Sequence, residues 1–290
     1  MDTAGMTGVD TASFSPEVHS QEIETQGYTI IPGAISAEQV RAAIAALEEI
    51  YQRERPIAEH LGEQTANQRV VRTVVAKHRF FETFFLSSPV LAVCRRLLGD
   101  DMVLYDTSGR SILPSGGREA RHGFQVHVDR ELFSVLPFQS GTHFPVAVNV
   151  LWTLVDFVPE NGATVIWPGS HLSLQVPDAE GEYPGYVQAV TPAGSAIMWD
   201  AATWHATGLN TSHRIRHSAI SFFQRSWVKG VINNERVIPP QVRERLVPEM
   251  RKLLGLEESL PDYSTVQQLS GEQLEQLSPW EKEVIGIGIY

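Results

Sequence analysis

His127 and Asp129 are separated by a single residue, which is a spacing that can bind metal. In an extended strand residues i and i+2 project to the same face, so this imidazole and carboxylate can bind one ion together. His205, far downstream, supplies a third ligand of suitable type. Two histidines and one carboxylate form the facial triad of non-haem iron(II) oxygenases, which leaves coordination positions open for substrates. The three residues therefore predict an iron(II) site.

Arg216 is the second chemical group indicated by the sequence. It follows His205 across Leu209-Asn210-Thr211-Ser212, a run of turn-forming residues. We expect His205 and Arg216 to lie on two adjacent antiparallel strands that face one cavity. A guanidinium in that position is suited to bidentate binding of a carboxylate. Arg214 has the same strand parity and is the alternative to Arg216.

The elements that must position these groups change in character along the chain. Ser36 and Gln39 form a capping pattern that predicts a helix to about residue 53. A further helical segment is expected over residues 80–98, ending at Gly99. Short strand-like runs then recur, and helices are expected again near 240–254 and 271–285. The strand-like runs are 102–105, 146–157, 164–167, 185–190, 195–199 and 217–224.

This order of elements predicts an α+β fold built on a β-sandwich or closed barrel. We expect a flexible leader over residues 1–15, where Gly, Thr, Ser and Asp predominate, and a single domain over residues 16–290. A chain of 290 residues is long enough to bury a substantial core.

Composition excludes some classes of partner. The formal net charge is -11 and the pI is near 5.4, which opposes non-specific attraction to nucleic acid or anionic lipid. No signal peptide and no membrane span are predicted, so the cytoplasm is the expected compartment. The single cysteine, Cys94, falls in an apolar helical pattern and is predicted to be buried and inert. The sequence does not indicate an oligomeric state.

Several stretches, taken in order and spacing, resemble the phytanoyl-CoA dioxygenase family of iron(II)- and 2-oxoglutarate-dependent oxygenases. The resemblance covers about residues 25–230. The stretches are Gly27-Tyr28-Thr29-Ile30-Ile31-Pro32-Gly33, His127-Val128-Asp129, Trp152-Thr153-Leu154-Val155-Asp156, Glu160-Asn161-Gly162-Ala163-Thr164, Pro168-Gly169-Ser170-His171, and His205 with Asn210 and Arg216.

The resemblance implies a double-stranded β-helix, the jelly-roll or cupin-like fold, with Fe(II) bound by the three residues named at the start. It implies 2-oxoglutarate and O₂ as cosubstrates, with the far carboxylate of 2-oxoglutarate paired to Arg216. Thr207 and Trp152 match positions that contact this cosubstrate in relatives. Many relatives also use a Lys-Pro-Pro strand, where this chain has Leu113-Pro114-Ser115. Gln125 is then the nearest candidate for a second polar contact.

The expected substrate is a small-molecule metabolite, with natural-product biosynthesis the favoured setting. The loop over residues 130–145 follows the metal pair and, at this length, is expected to act as a lid that carries Phe133 and Phe138. Residues 69–75 would shape the same side of the cavity, with Arg72 as a further substrate contact. The Asp129 carboxylate is typical of oxygenating members, because halogenating relatives have a small residue there.

Two other classes of protein remain open on sequence alone. A cupin-like metal isomerase, or an oxygenase independent of 2-oxoglutarate, would not need Arg216. A non-catalytic β-sandwich binding module would carry the triad by accident. Among the other histidines, His171 lies in a Pro-Gly-Ser-His turn and is expected to be structural.

Overall fold

The computed structural model describes residues 14–60, 67–116, 125–129, 144–173, 175–178, 181–256 and 271–279. The helices are α1 (Pro16–Gln26), α2 (Ala37–His60), α3 (Phe81–Phe84), α4 (Ser88–Leu98), α5 (Asn234–Val237), α6 (Pro240–Arg243), α7 (Pro248–Leu253) and α8 (Gly271–Gln276). The strands are β1 (Tyr28–Ile31), β2 (Gln68–Arg72), β3 (Val103–Ile112), β4 (Ala147–Thr153), β5 (Val165–Ile166), β6 (Val187–Gln188), β7 (Ala196–Asp200), β8 (His205–Ala206) and β9 (Arg216–Gln224).

The strands form two antiparallel sheets. The major sheet has six strands in the order β1-β7-β4-β9-β3-β2, and the minor sheet has three in the order β6-β5-β8. An isolated bridge between His127 and His205 extends the minor sheet beyond β8. Two antiparallel sheets beside a layer of helices give the α+β jelly-roll architecture predicted from the sequence, and that prediction is confirmed.

The two faces of the major sheet have different partners. One face packs against the helices in a large apolar core that includes Val150 of β4 and Phe223 of β9. The opposite face supplies Leu151 of β4 and Ile220 of β9 to a second apolar cluster with Ile166 of the minor sheet. Because successive strand residues alternate between faces, the parity of a residue decides which of the two environments it enters.

Two helices depart from the predicted boundaries. The capping box is present, since the Ser36 amide donates to Gln39 Oε1 at 2.9 Å and the Gln39 amide donates to Ser36 Oγ at 3.2 Å. However, α2 continues past Pro56 to His60, and this extension buries Ala58. The segment predicted over residues 80–98 is divided into α3 and α4, because Pro89 lacks the N–H and its ring would clash with the preceding turn.

One prediction about the strands is wrong. His205 and Arg216 do not lie on adjacent strands: β8 pairs with β5 in the minor sheet, whereas β9 pairs with β3 and β4 in the major sheet. The connection between them bonds to another segment instead, through an Asn161–Asn210 bridge and a hydrogen bond from the Thr211 amide to the Glu160 carbonyl at 2.8 Å. The chain therefore crosses from one sheet to the other between the two residues.

Cys94 is buried in the helix-side core as expected, and burial raises the pKa of its thiol. Among the described helices, none combines the length and the apolar character needed to cross a membrane.

Candidate active site

Main-chain hydrogen bonds hold the three predicted metal ligands together. His127 and His205 exchange both of their backbone hydrogen bonds, each at 3.0 Å, so they are directly opposed residues of an antiparallel pair. The amide of Asp129 donates to the carbonyl of Ala201 at 3.1 Å. The ring centroids of His127 and His205 lie 4.3 Å apart. Residues that are far apart in sequence thus converge through the pairing of main chains.

The ligand atoms of these three side chains all lie within 4.8 Å of one another. His205 Nε2 is 3.1 Å from Asp129 Oδ2, and His127 Nε2 is 3.9 Å from Asp129 Oδ1. Each imidazole uses Nδ1 to contact a backbone carbonyl, at 3.1 Å to Gln125 for His127 and at 2.9 Å to Thr203 for His205. A carbonyl at Nδ1 fixes the proton there and leaves Nε2 for a metal ion.

The Asp129 carboxylate is held by two further side chains. Trp199 Nε1 donates to its Oδ2 at 3.3 Å, and the Asn149 side-chain amide donates to the same oxygen. Burial opposes ionisation of this group, but His205, His127 and Trp199 together outweigh burial and lower the pKa of Asp129 to about 2. The carboxylate is therefore ionised at neutral pH and can act as a metal ligand.

The pocket shifts the pKa values of His127 and His205 in opposite directions. Burial and the nearby His205 lower the pKa of His127, so its imidazole is neutral at neutral pH. Burial also opposes the charge on His205, but the Asp129 carboxylate outweighs burial and raises the pKa of His205 above its usual value. The Asp129 carboxylate therefore favours a proton on His205, and a metal ion would compete with that proton.

Arg216 is almost fully buried, with 1% of its surface exposed. One terminal nitrogen donates to the Gly162 carbonyl, and the guanidinium lies over the Phe157 ring at 4.6 Å. Its Nε has no hydrogen-bond partner among the described residues. Burial lowers the pKa of Arg216 to about 9, and the charge of Arg110 acts in the same direction. Arg216 is thus a buried cation at neutral pH with unused hydrogen-bonding capacity.

A single pocket between the sheets contains the triad and Arg216. The side chains that line it come from both sheets and combine charged groups with an apolar wall. They are Arg110, His127, Asp129, Leu151, Thr164, Trp199, His205, Ala206, Thr207, Arg216, Ile220 and Phe222. Thr207 lines this pocket, whereas Arg214 is exposed at the turn before β9. Of the two candidate arginines, the structure brings Arg216 to the site.

Trp152 is not brought to the pocket, which corrects the role implied for it. It is fully buried on the opposite face of β4, where its ring packs against Phe84 and Phe85 and its Nε1 donates to Ser221 Oγ at 3.0 Å. Leu151, the preceding residue, faces the pocket instead. The physical reason is strand parity, since neighbouring residues of a strand project to opposite faces.

The remaining predicted contacts lie outside the pocket or outside the described residues. Gln125 has an exposed side chain, and its backbone carbonyl accepts the hydrogen bond from His127 Nδ1. Arg72 is exposed at the end of β2 and lines a surface groove with Glu54 and Lys77. Phe133 and Phe138, with most of the loop predicted to be a lid, lie outside the described residues.

Reasoning from the sequence missed Arg110 and Trp199, which line the pocket, and Asn149, which donates to Asp129. Asn149 and Trp199 lie in largely apolar strand-like runs, so type and spacing alone do not separate them from core positions, and Arg110 lies beyond the predicted run 102–105. Asn149 is the exception in hindsight, because an amide with no exposed surface in the middle of a buried strand needs a partner. The cross-strand pairing that turns these residues toward the triad is a property of the assembled sheet.

These residues fit a ferrous ion and a dicarboxylate. Two neutral imidazole nitrogens and one carboxylate suit Fe(II), and the buried Arg216 lies in the same pocket. A jelly-roll fold that carries two histidines and one carboxylate in this arrangement is typical of mononuclear non-haem iron proteins.

The model for the family described as Phytanoyl-CoA dioxygenase (PhyH) matches residues 23–218, and the chain belongs to this family. The family and the fold predicted from the sequence are both confirmed.

Two curated relatives align over part of the chain. The uncharacterized protein Rv1501 of Mycobacterium tuberculosis is 30% identical over 187 residues, which are 64% of this chain and 66% of Rv1501. The dioxygenase andF of Emericella variicolor is 29% identical over 166 residues, which are 57% of this chain and 56% of andF. The alignments thus span slightly less than two thirds of the first relative and little more than half of the second.

Among solved structures, the non-haem α-ketoglutarate-dependent carbocyclase SnoK from nogalamycin biosynthesis is similar with a TM-score of 0.59 and 21% identity. The superposition covers 79% of this chain and 92% of SnoK. At this identity the likeness concerns the fold, and it agrees with the two-sheet arrangement described above.

Proposed function

We propose that this protein is an iron(II)- and 2-oxoglutarate-dependent dioxygenase that oxidises a small-molecule metabolite. The observation that carries the proposal is the presence in one pocket of the His127-Asp129-His205 triad and the buried Arg216. A triad alone would suit any mononuclear metal enzyme. A buried cation with an unsatisfied donor in the same pocket calls for an anionic cosubstrate.

Each group in the pocket has a role in this function. The two imidazoles and Asp129 would hold Fe(II), and Arg216 would pair with the far carboxylate of 2-oxoglutarate. Thr207 and Thr164 offer hydroxyl groups along the pocket wall. Leu151, Ile220 and Phe222 form an apolar wall that excludes water from the reacting groups.

When bound, iron with 2-oxoglutarate and O₂ supplies the oxidising power for attack on a C–H bond, while the protein supplies orientation and a dry cavity. The Asn149 and Trp199 donors keep Asp129 oriented toward its two histidine neighbours. Hydroxylation, desaturation and ring chemistry are all compatible with this set of groups.

A setting in natural-product biosynthesis is part of the proposal. It is supported by SnoK, which is described as a carbocyclase from nogalamycin biosynthesis. The acidic chain, with a net charge of -11, favours a freely diffusing metabolite over nucleic acid as the substrate. A cytoplasmic location stays a prediction.

The test is an anaerobic titration of the metal-free protein with Fe(II) and then with 2-oxoglutarate. We expect a charge-transfer absorption band in the wild type and none in His205→Ala. Addition of a metabolite panel should then shift the band for compounds that enter the pocket. Turnover coupled to succinate formation would identify the substrate. Oxidation of that substrate at full rate without 2-oxoglutarate would instead support the cosubstrate-independent alternative.

A further inference from the structure

Residues 200–204, which we call the support turn, lie between β7 and β8 and hold two of the three metal ligands through backbone carbonyls. The Asp129 amide donates to the Ala201 carbonyl at 3.1 Å. His205 Nδ1 donates to the Thr203 carbonyl at 2.9 Å. Groups that bind a ligand residue in this way set its orientation toward the ion. The position of the support turn therefore bears on the geometry of the metal site.

One carbonyl outside the support turn binds both of its ends. The Gly27 carbonyl accepts from the Asp200 amide at 3.0 Å and from Thr203 Oγ1 at 2.9 Å. A carbonyl oxygen has two lone pairs and can accept both bonds. The turn is also closed internally, since the Thr203 amide donates to the Asp200 carbonyl at 2.8 Å. Gly27 therefore fixes a turn whose ends cannot move independently of each other.

Gly27 can make this contact because it has no side chain. It follows α1 as the helix C-cap, where its φ of 87° lies in the left-handed region. A Cβ atom on Gly27 would lie 2.6 Å from Thr203 Oγ1 and 2.7 Å from His171 Nδ1. Any other residue would therefore push against the same hydroxyl group that binds the Gly27 carbonyl.

A second segment braces the support turn from the other side. Ser170 Oγ accepts from the Trp204 amide at 2.8 Å, immediately before His205. The neighbouring Gly169 amide donates to the Gln26 carbonyl at 2.8 Å, next to Gly27. Two of the stretches that carry the family resemblance, residues 27–33 and 168–171, thus meet at the support turn.

The bond from Thr203 to Gly27 is shielded from water. Thr203 has no exposed surface, and His205 is 6% exposed. A hydrogen bond in such surroundings does not compete with solvent and restrains its partners more than an exposed one does. The restraint passes from the end of α1 to the Thr203 carbonyl and from there to the His205 imidazole.

We propose that Gly27 and Thr203 are positioning residues for the metal site. They hold the support turn so that its carbonyls direct Asp129 and His205 toward one ion. This rests on the proposed function, in which those two residues are metal ligands. The junction of α1 with β1 thereby contributes to metal affinity through the turn, without contact with the ion.

The test is calorimetric titration of the metal-free, full-length protein with Ni(II) at constant pH, without cosubstrate. Thr203→Val removes the hydroxyl donor and keeps the shape, and we expect it to raise the Ni(II) dissociation constant about 10-fold. Thr203→Ser keeps the donor and should stay within about threefold of the wild type.

The matched control is Ser87→Ala. Ser87 Oγ donates to the Ala34 carbonyl at 3.0 Å, so the variant also removes a buried bond from a hydroxyl to a carbonyl, but beside the helix-side core. Its melting temperature should fall, while its Ni(II) affinity should stay within about twofold of the wild type.

A second readout separates positioning of the ligands from general stabilisation. At saturating Co(II), the visible absorption bands report the arrangement of the ligands around the ion. We expect a changed spectrum in Thr203→Val and the wild-type spectrum in Thr203→Ser. A lower melting temperature in Thr203→Val, with wild-type Ni(II) affinity and Co(II) spectrum, would assign the hydroxyl to the fold alone and overturn the proposal.

Ser170→Ala tests the support turn if Thr203→Val does not fold. It removes the acceptor of the Trp204 amide and should weaken Ni(II) binding about threefold or more. Unchanged Ni(II) affinity in that variant would then count against the turn as a support of the ligands and overturn the proposal.

The outcomes also distinguish this proposal from the proposed function. If the wild type and Thr203→Val bind Ni(II) equally well, the positioning role fails and the proposed function stands. If the wild type binds no Ni(II), the triad is not a metal site and both fail. Weaker binding in Thr203→Val with recovery in Thr203→Ser would support the positioning role.

Discussion

The Asn149 side-chain amide donates to Asp129 Oδ2, the carboxylate oxygen that also lies 3.1 Å from His205 Nε2. The two residues come from different parts of the jelly-roll, with Asn149 in the middle of β4 and Asp129 beyond the edge of the minor sheet. The Asn149 side chain has no exposed surface, and its Oδ1 has no partner among the described residues. A buried amide that donates to a carboxylate in this way restricts the orientation of that carboxylate.

We expect Asn149→Ala to weaken metal binding about 10- to 100-fold, because residues that orient a ligand have effects of this size. Trp199→Phe should have a smaller effect, since its hydrogen bond to the same oxygen is long at 3.3 Å. The measurement is calorimetric titration with Ni(II) at constant pH. Wild-type affinity in Asn149→Ala would show that Asp129 is oriented by other groups.

Replacement of His127 or His205 by Ala should abolish iron-dependent turnover and leave the fold intact, because the strands rather than these side chains carry the core. Circular dichroism and Fe(II) binding measure the two effects separately. His213→Ala is the matched control, since this histidine is exposed at the turn before β9 and should be silent. Full activity in His205→Ala would exclude it as a ligand.

Arg216→Ala should raise the 2-oxoglutarate requirement by about one to two orders of magnitude, because a charge-assisted bidentate contact contributes about 1.5–3 kcal/mol. Arg216→Lys should recover part of this loss. The assay is the dependence of turnover, or of the charge-transfer band, on cosubstrate concentration. A larger effect from Arg214→Ala would reverse the choice between the two arginines.

Trp152→Phe should destabilise the protein without touching the cosubstrate. The change removes the hydrogen bond to Ser221 and part of the packing against Phe84 and Phe85. We expect the free energy of unfolding to fall by about 1–3 kcal/mol. Chemical denaturation measures this loss, and 2-oxoglutarate binding should stay within about twofold of the wild type. A weaker cosubstrate affinity with unchanged stability would restore the role that the family resemblance implied.

Metal affinity should fall as the pH is lowered. The pKa of His205 is raised by Asp129, so the ion pair between them exists below that pKa and is lost as the pH rises through it. The pair therefore stabilises the metal-free protein at low pH, where a proton competes with the metal ion. Ni(II) titrations should show affinity at least about fivefold weaker at pH 6 than at pH 8, with proton release on binding. An affinity independent of pH would mean that His205 is neutral in the metal-free site.

The features that the sequence by itself determined are those set by short-range geometry. His127 and Asp129 share a face because the period of a strand is two, and Ser36 caps α2 through Gln39 because both lie within one helical turn. The order and spacing of the stretches that resemble the phytanoyl-CoA dioxygenase family also predicted the family. The strand pair and the helix cap depend on residues that are close in sequence.

Tertiary structure alone decided which residues share the pocket. The pairing of β3 with β9 places Arg110 beside Arg216 across more than a hundred residues of chain, and the packing of helices on one sheet face takes Trp152 away from the metal ligands. The assignment of β8 and β9 to different sheets likewise depends on bonds to residues 160–161 rather than on the turn between them. Strand parity is visible in the sequence, but the face that meets the helices and the partner of each strand are fixed by long-range burial and pairing, which no local spacing encodes.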